Sequence, residues 1–421
     1  MKRKPLIMAM VMLSGLLLLG GMLVPIPTEA AKESIKIGMS ISTSGPFAFA
    51  SMQGFRGVQL WVAEVNKRGG IPVQELGRGL PVELVYHDDR SDKEVTVRMY
   101  EKLIVEDKVD ATIANFSSTL GLAAAPITEK YGKVMMIWAS AASPIYEQGF
   151  KYVISGSQIS TRDVPRPMVA HAHEILKMKT VAMIYVDQPA FVDFAINAKD
   201  EAEKRGMKVV QYEMFPMGAK DFSVMLQKAR AAKPDAFMMF AYVDDQITAV
   251  KQMRELDINF PYANLVYVTL EDWWKALGKD GLYFSGISNW HPDLNYQVNV
   301  GFTNQEMIAK HHQMFPNEHV TFETALAYVN VVVLEEMIKR AGSLDSAKLK
   351  QAALELSGKL DTLLGRYELD ETGRQLGMPF MPMQRVPDPA TGTSKLTILY
   401  PEAVATGKAV YPMPTWAEKR K

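Results

Sequence analysis

Apolar runs of four to eight residues alternate along this chain with longer stretches whose apolar positions recur every three to four residues. Residues 35–42 (IKIGMSIS) read as a strand, and 54–68 read as a helix because Val58, Trp61, Val62 and Val65 share one face. Gly69 and Gly70 close that helix. Residues 80–86 form the next strand, Asp92 caps a helix to 106, 111–114 is a third strand, Ser118 caps a helix to 131, and 134–138 is a fourth strand. A stretch at 151–167 with two prolines and no helical period reads as a crossing between domains. The same grammar then starts afresh. Strands at 180–186, 209–214, 235–241 and 262–268 alternate with helices at 190–205, 221–232 and 244–256. Beyond Gly286 the pattern turns helical, most regularly at 321–341, and the tail at 367–421, rich in Pro, Gly and Met, keeps one strand at 396–400.

Strands alternating with helices of this length specify parallel sheets covered on both faces, one per half of the chain. The expected fold class is therefore α/β, with two similar doubly wound lobes facing one another across a cleft. Ligands bind such sheets at the carboxyl ends of their strands. The stretch 109–144 (VDATIANFSSTLGLAAAPITEKYGKVMMIWASAASP) places two small polar turns at that edge, Ser117-Ser118 and Ser140-Ala141-Ala142-Ser143. Backbone N–H groups and hydroxyls beside a helix start suit a bound anion.

The chain has 421 residues, enough for more than one core. Lys2-Arg3-Lys4, an apolar run at 6–24, Pro25, Pro27 and then Thr28-Glu29-Ala30 predict a cleavable secretory signal at 1–30. There is no cysteine, which excludes a lipid anchor on an N-terminal Cys, disulfides and thiol catalysis. The mature protein is expected free in the periplasm. Its 44 basic and 46 acidic residues are interspersed without a basic stripe, so no nucleic-acid partner is implied.

Catalytic and metal chemistry find no footing. His171-Ala172-His173-Glu174 would need its second zinc ligand at 177, which is Lys177. His311, His312 and His319 read as solvated, and Asp88, Asp89 and Asp92 as capping and turn residues. Neither G-x-S-x-G nor a P-loop occurs, and no base lies at a spacing that links it to Ser117 as a nucleophile. No metal and no cofactor are implied, and the chain is not expected to be an enzyme.

Ile35-Lys36-Ile37-Gly38, Ser44-Gly45-Pro46, Gly54, Gly57, Glu64-x-Asn66-x-x-Gly69-Gly70-Ile71, Asp88-Asp89-x-Ser91-Asp92, Ser117-Ser118, Ser143-Pro144, Asp221-Phe222-Ser223 and Pro234-Asp235 occur in the order and spacing of one family. In these motifs the chain resembles the leucine/isoleucine/valine-type solute-binding proteins of ABC importers. The resemblance implies a type I periplasmic binding fold: lobes joined by a three-stranded hinge with crossings near Ser155, Ile287 and Leu364, and a ligand between them. The N-terminal lobe would comprise 31–155 and 288–364, and the C-terminal lobe 156–287 and 365–421. A monomer that closes on a small molecule and docks on a permease of the inner membrane is implied; a ligand sensor for a membrane receptor, or a hydrolase on the same cleft, are the competing functions.

Carried over by position, the resemblance puts a ligand carboxylate at Ser117 and Ser118, with Ser140 and Ala142 supplying the second turn. Ala142 stands where the family usually has Thr, and Ser143 is a substitute donor. Phe191 and Val192 replace a Tyr-Gly pair, Tyr242 matches a binding-site Tyr, and Ala50, flanked by Phe49, stands where leucine-type members carry an aromatic lid. Tyr267 completes the expected wall. Amino-acid binders hold the ligand's ammonium on a carboxylate just after the strand corresponding to 262–268; here the first acids are Glu271 and Asp272, and without one of them a zwitterion would bury its amine unpaired. The expected ligand is a small carboxylate with an apolar or aromatic body, ahead of an aliphatic amino acid.

Overall fold

Strand β1 (Ile35–Ile41) opens the first sheet and is followed by helix α1 (Ala48–Lys67), the hairpin β2 (Ile71–Val73) and β3 (Arg78–Leu80), and β4 (Val82–Asp88). Helix α2 (Lys93–Val105), β5 (Ala111–Ile113), α3 (Ser118–Lys130), β6 (Met135–Ile137), the short α4 (Pro144–Glu147) and β7 (Val153–Ser155) complete it. The computed structural model describes residues 32–420, so the signal read at 1–30 lies outside the described residues. All these elements belong to the unit Ser34–Lys421; of the unit Met1–Glu33 only Lys32 and Glu33 are described.

The first sheet has the order β4-β1-β5-β6-β7, all parallel. After α5 (Arg166–Ala170), which runs into a π-helical turn, the second lobe begins with β8 (Thr180–Val186), α6 (Pro189–Lys204), β9 (Lys208–Phe215), α7 (Ser223–Ala232) and β10 (Ala236–Phe240). It continues through α8 (Val243–Glu255), β11 (Ala263–Leu265), α9 (Glu271–Leu277) and β12 (Ser285–Ser288). Helices α10 (Asn304–Met314), α11 (Phe322–Ala341) and α12 (Ser346–Leu356) and the hairpin β13 (Leu360–Thr362) and β14 (Gly365–Tyr367) follow. Strands β15 (Met381–Asp388) and β16 (Thr393–Ile398) then return to the second sheet as antiparallel members, giving the order β16-β15-β12-β11-β10-β8-β9.

Each sheet reverses its strand order once, between β1 and β5 in the first and between β8 and β10 in the second. Such switch points leave a crevice at the carboxyl ends of the strands. The strands are buried on both faces, as parallel strands between helix layers must be. Helix α11 is buried nearly all round and is capped by the Thr321 hydroxyl. It crosses α1 at Gly57, where a Cβ would stand 2.2 Å from the Thr324 carbonyl oxygen.

Several elements depart from the sequence reading. Helix α1 starts at Ala48, not at 54, and Ser117, not Ser118, caps α3. The presumed crossing at 151–167 contains β7, three residues too short to show a period. Strand β11 ends at Leu265, and 266–269 are a turn. Strand β15 carries Pro382 and Pro387, which argue against a strand; near its ends the ladder tolerates the missing donors. His311 is buried on α10 rather than solvated.

Candidate functional site

Just beyond β5, at the first switch point, the chain must turn from a fully buried strand into α3. Ser117 makes that turn at φ 82° and ψ 127°, a left-handed conformation that costs a side-chain-bearing residue about 1–3 kcal/mol. Its Oγ accepts from the Thr119 N–H at 3.3 Å. Beneath it, buried Asp89 accepts from Ser40 Oγ (2.7 Å), Ser42 Oγ (2.5 Å) and Asn115 Nδ2 (3.1 Å), tying the ends of β1, β4 and β5 together. The acidic cluster at 88–92 thus has a structural job, and no metal-binding group of acids and histidines occurs among the described residues.

The second turn braces the first instead of lining the site. Ser140 Oγ lies 2.7 Å from the Asn115 carbonyl and 3.0 Å from that of Ser117, and the Ala142 N–H donates to Ser118 Oγ at 3.1 Å. Gly121 permits this approach, since a Cβ there would stand 2.3 Å from Ser140 Cβ. Ser143, the expected substitute donor, gives both its N–H (3.0 Å) and its hydroxyl (2.8 Å) to the Asp193 carboxylate on α6. Ser140, Ala142 and Ser143 are therefore spent on the scaffold.

A cavity opens on Ser117 and Ser118 from the first lobe and on Phe191, Phe194, Tyr242, Val266 and Tyr267 from the second. Phe191 and Tyr242 follow β8 and β10, so the second switch point supplies this wall. Their rings meet edge to face at 4.8 Å, a favoured aromatic geometry. Rings also cross between lobes: Phe47 lies 5.6 Å from Tyr242, and Tyr267 stacks 6.3 Å from Phe322 at the start of α11. Burial pushes the Tyr242 hydroxyl up to about 12, against a hydrogen bond with Ser117 that favours its ionised form. The turn carrying Val266 and Tyr267 is held by buried Arg385 on β15, whose guanidinium donates to the carbonyls of Val268 (2.9 Å), Thr269 (3.1 Å) and Leu270 (3.0 Å).

An adjoining cavity shares Phe116, Tyr242 and Tyr267 with the first and contains Phe49 and Ala50, beside Lys220, Asp244, Asp245 and Glu323. Glu271 and Asp272 line an outer groove with Phe49, Arg56 and Lys275, and neither lines the two cavities. The acids lining the second cavity are Glu323, from the first turn of α11, and Asp244 and Asp245 on α8. Burial raises Glu323 to about 7, although the Thr321 hydroxyl favours the charged form, and raises Asp245 to about 6.

Of the residues expected in the site, Ser117, Ser118, Phe191, Tyr242 and Tyr267 meet in one cavity, Phe49 and Ala50 in its neighbour, and Ser140 and Ala142 in neither. Gln158, Thr161, Phe322, Phe380 and Glu323 were not foreseen. The first two come from the crossing segment. An acid in the first turn of an apolar helix reads as a partner for the helix dipole, so Glu323 gave no signal of its own.

Comparison with known proteins agrees with this architecture. The family model described as periplasmic binding protein matches residues 34–391. A Leu/Ile/Val-binding protein homolog of Brucella melitensis is 21% identical over 398 residues, covering 91% of this chain and 95% of its own. The branched-chain amino acid transporter substrate binding protein of Streptococcus pneumoniae, solved with isoleucine, superposes with a TM-score of 0.73 at 20% identity, covering 88% of this chain and all of that one. A solute binding protein of an ABC transporter from Rhodopseudomonas palustris, solved with 3,4-dihydroxybenzoic acid, gives 0.73 at 20% identity over 90% of this chain and 99% of the other. The resemblance read from the motifs is borne out, as is the two-lobed type I fold, and with the match spanning both sheets the chain belongs to the periplasmic binding protein family.

Proposed function

We propose that the protein is the periplasmic solute-binding component of an ABC importer. It captures a small carboxylate-bearing ligand between its lobes and delivers it, chemically unchanged, to a permease in the inner membrane. The observation that carries this reading is the cavity at the facing switch points, where Ser117 and Ser118 at the start of α3 meet an aromatic wall from the other lobe. An anion is favoured at such a helix start, and Phe191, Tyr242 and Tyr267 suit an apolar or aromatic body. The relatives solved with isoleucine and with 3,4-dihydroxybenzoic acid support an amino acid or an aromatic acid.

In this reading the lobes are 31–155 with 288–364 and 156–287 with 365–421, moving about crossings near Ser155, Ile287 and Leu364. Closure is driven by ligand contacts to both lobes. Export follows removal of 1–30, and one chain suffices for binding. Among the described residues no helix is long and apolar enough to cross a membrane. Calorimetry against aromatic acids, short fatty acids, amides and amino acids, with mass spectrometry of ligand released from purified protein, tests the reading. Micromolar or tighter binding of one acid class is expected. Binding of the amides alone would refute the carboxylate site, and conversion of a bound compound would refute transport without chemistry.

A further inference from the structure

The turn after β11 has no unmet carbonyl from Val266 to Leu270. The Val266 carbonyl accepts from the Ile287 N–H (3.3 Å) and that of Tyr267 from the Leu270 N–H (3.1 Å), while the next three, those of Val268, Thr269 and Leu270, converge on the Arg385 guanidinium. The Tyr267 N–H is taken as well, donating to Gln246 Oε1 at 3.0 Å, and Gln246 Nε2 donates to the carbonyl of Ala241, the residue before Tyr242, at 2.9 Å. Arg385 is 4% exposed, and its Nη1 donates to Ser394 Oγ at 2.8 Å. Four of its five N–H groups therefore have acceptors. Burial pushes the guanidinium down to about 10, against the field of Glu271 at the start of α9. Three successive carbonyls face one cation only if the backbone of 268–270 is fixed, and moving any of them strips a buried charge of an acceptor. This same turn presents Val266 and Tyr267 to the Ser117 cavity, and the Tyr267 ring stands 6.3 Å from Phe322 and 6.4 Å from Phe191.

We propose that Arg385 is a positioning residue that sets the specificity of the cleft: held from behind, the second-lobe wall is rigid and offers a ligand side chains but no backbone carbonyl, so the cavity selects among acids by the shape of their apolar body. The proposal rests on the solute-binding reading and adds to it what decides between acids. Arg385 lines neither cavity and acts through Val266 and Tyr267. Gln246 ties the ends of β10 and β11 together, so Tyr242 and Tyr267 keep their places relative to one another. A turn already ordered before binding does not have to be ordered by the ligand. A wall that does not yield discriminates by size, whereas one that yields repacks around each ligand.

The test titrates benzoate, 4-methylbenzoate, 4-ethylbenzoate and hexanoate calorimetrically into the wild-type protein, Arg385→Met and Ser394→Ala, with melting temperatures as the control for folding. The wild type should separate the best and worst of these acids by about 30-fold or more, and Arg385→Met should compress that ratio to about threefold or less while weakening the best by about tenfold. Ser394→Ala, which leaves the three carbonyl bonds in place, should keep the ratio within about threefold of the wild type. Hydrogen exchange adds a readout that a uniform loss of stability would not give: amides of 266–270 in ligand-free Arg385→Met should exchange faster while those of β8 and β10 keep their rates. If Arg385→Met does not fold, Arg385→Lys, which keeps the charge and loses the planar fork, takes its place with the same expectation. An even response of the wild type to all the acids, or a folded variant that keeps the wild-type ratio or the wild-type exchange in 266–270, overturns Arg385 as the positioning residue and leaves the acid-binding cleft standing. If none of the acids binds the folded wild-type protein, the cleft reading itself falls and the proposal with it.

Discussion

Asp193 touches neither cavity, yet its removal should weaken ligand binding. Its carboxylate on α6 receives the N–H and hydroxyl of Ser143, from the turn after β6, together with the Thr161 hydroxyl and Asn197 Nδ2. In the proposed lobe-closure reading, the two Ser143 bonds join the lobes and are lost when they part. Hydrogen bonds to a charged group are worth about 1.5–3 kcal/mol each, and water recovers part of this on opening, which leaves about 2 kcal/mol in favour of closure. Asp193→Ala should therefore raise the dissociation constant about 30-fold without removing a ligand contact. Calorimetry gives the affinity, and X-ray scattering with and without ligand gives the lobe closure. A double-mutant cycle with Ser143→Ala isolates the pair, and a coupling near zero in folded variants would refute the latch. Another hydrogen bond, from Thr119 Oγ1 to Gln188 Oε1 at 2.8 Å, joins the start of α3 to that of α6 and does not involve Asp193.

Ser117→Ala should weaken ligand binding by about 1.5–3 kcal/mol if its hydroxyl meets a charged oxygen, and lower stability by about 1 kcal/mol through the lost cap; unchanged affinity in calorimetry assigns Ser117 to turn structure alone. Gly57→Ala would drive a Cβ into the Thr324 carbonyl and should cost about 1–3 kcal/mol in chemical denaturation, with weaker binding because α11 carries Phe322 and Glu323 into the site. Glu323 has a folded pKa near 7, above its ordinary 4.5, so the folded state holds the extra proton between these values and stability falls as pH rises through that window. Glu323→Gln should remove about 3 kcal/mol of that fall, and parallel wild-type and variant stability curves from pH 4 to 8 would contradict it.

The alternating strands and helices were legible because burial between helix layers forces continuous apolar strands, and each of β1, β8 and β10 shows that run. What the sequence hid are elements whose stability is tertiary. Strand β7 has three residues, and β15 has two prolines; both owe their pairing to neighbours already in place, β6 for the first and β12 and β16 for the second. Local pattern holds no record of a partner more than 90 residues away.

The site divided along the same line. Ser117 follows β5 and was legible as a turn at a strand end, whereas Phe191 and Tyr242, after β8 and β10, came from the family resemblance; the structure puts all three around one cavity. Ser140 and Ala142 satisfied the same positional rule and failed it, because their polar groups meet Asn115, Ser117 and Ser118 before any ligand could. A backbone position near a strand end shows that a group is available, and only the hydrogen-bond count shows whether it is free. Glu323 is the inverse case. It belongs to a helix that looks like pure packing, and it matters because every neighbour leaves its oxygens unmet. An unmet buried carboxylate among aromatic rings is a cost to the folded protein, so a single substitution there reads out in stability before it reads out anywhere else.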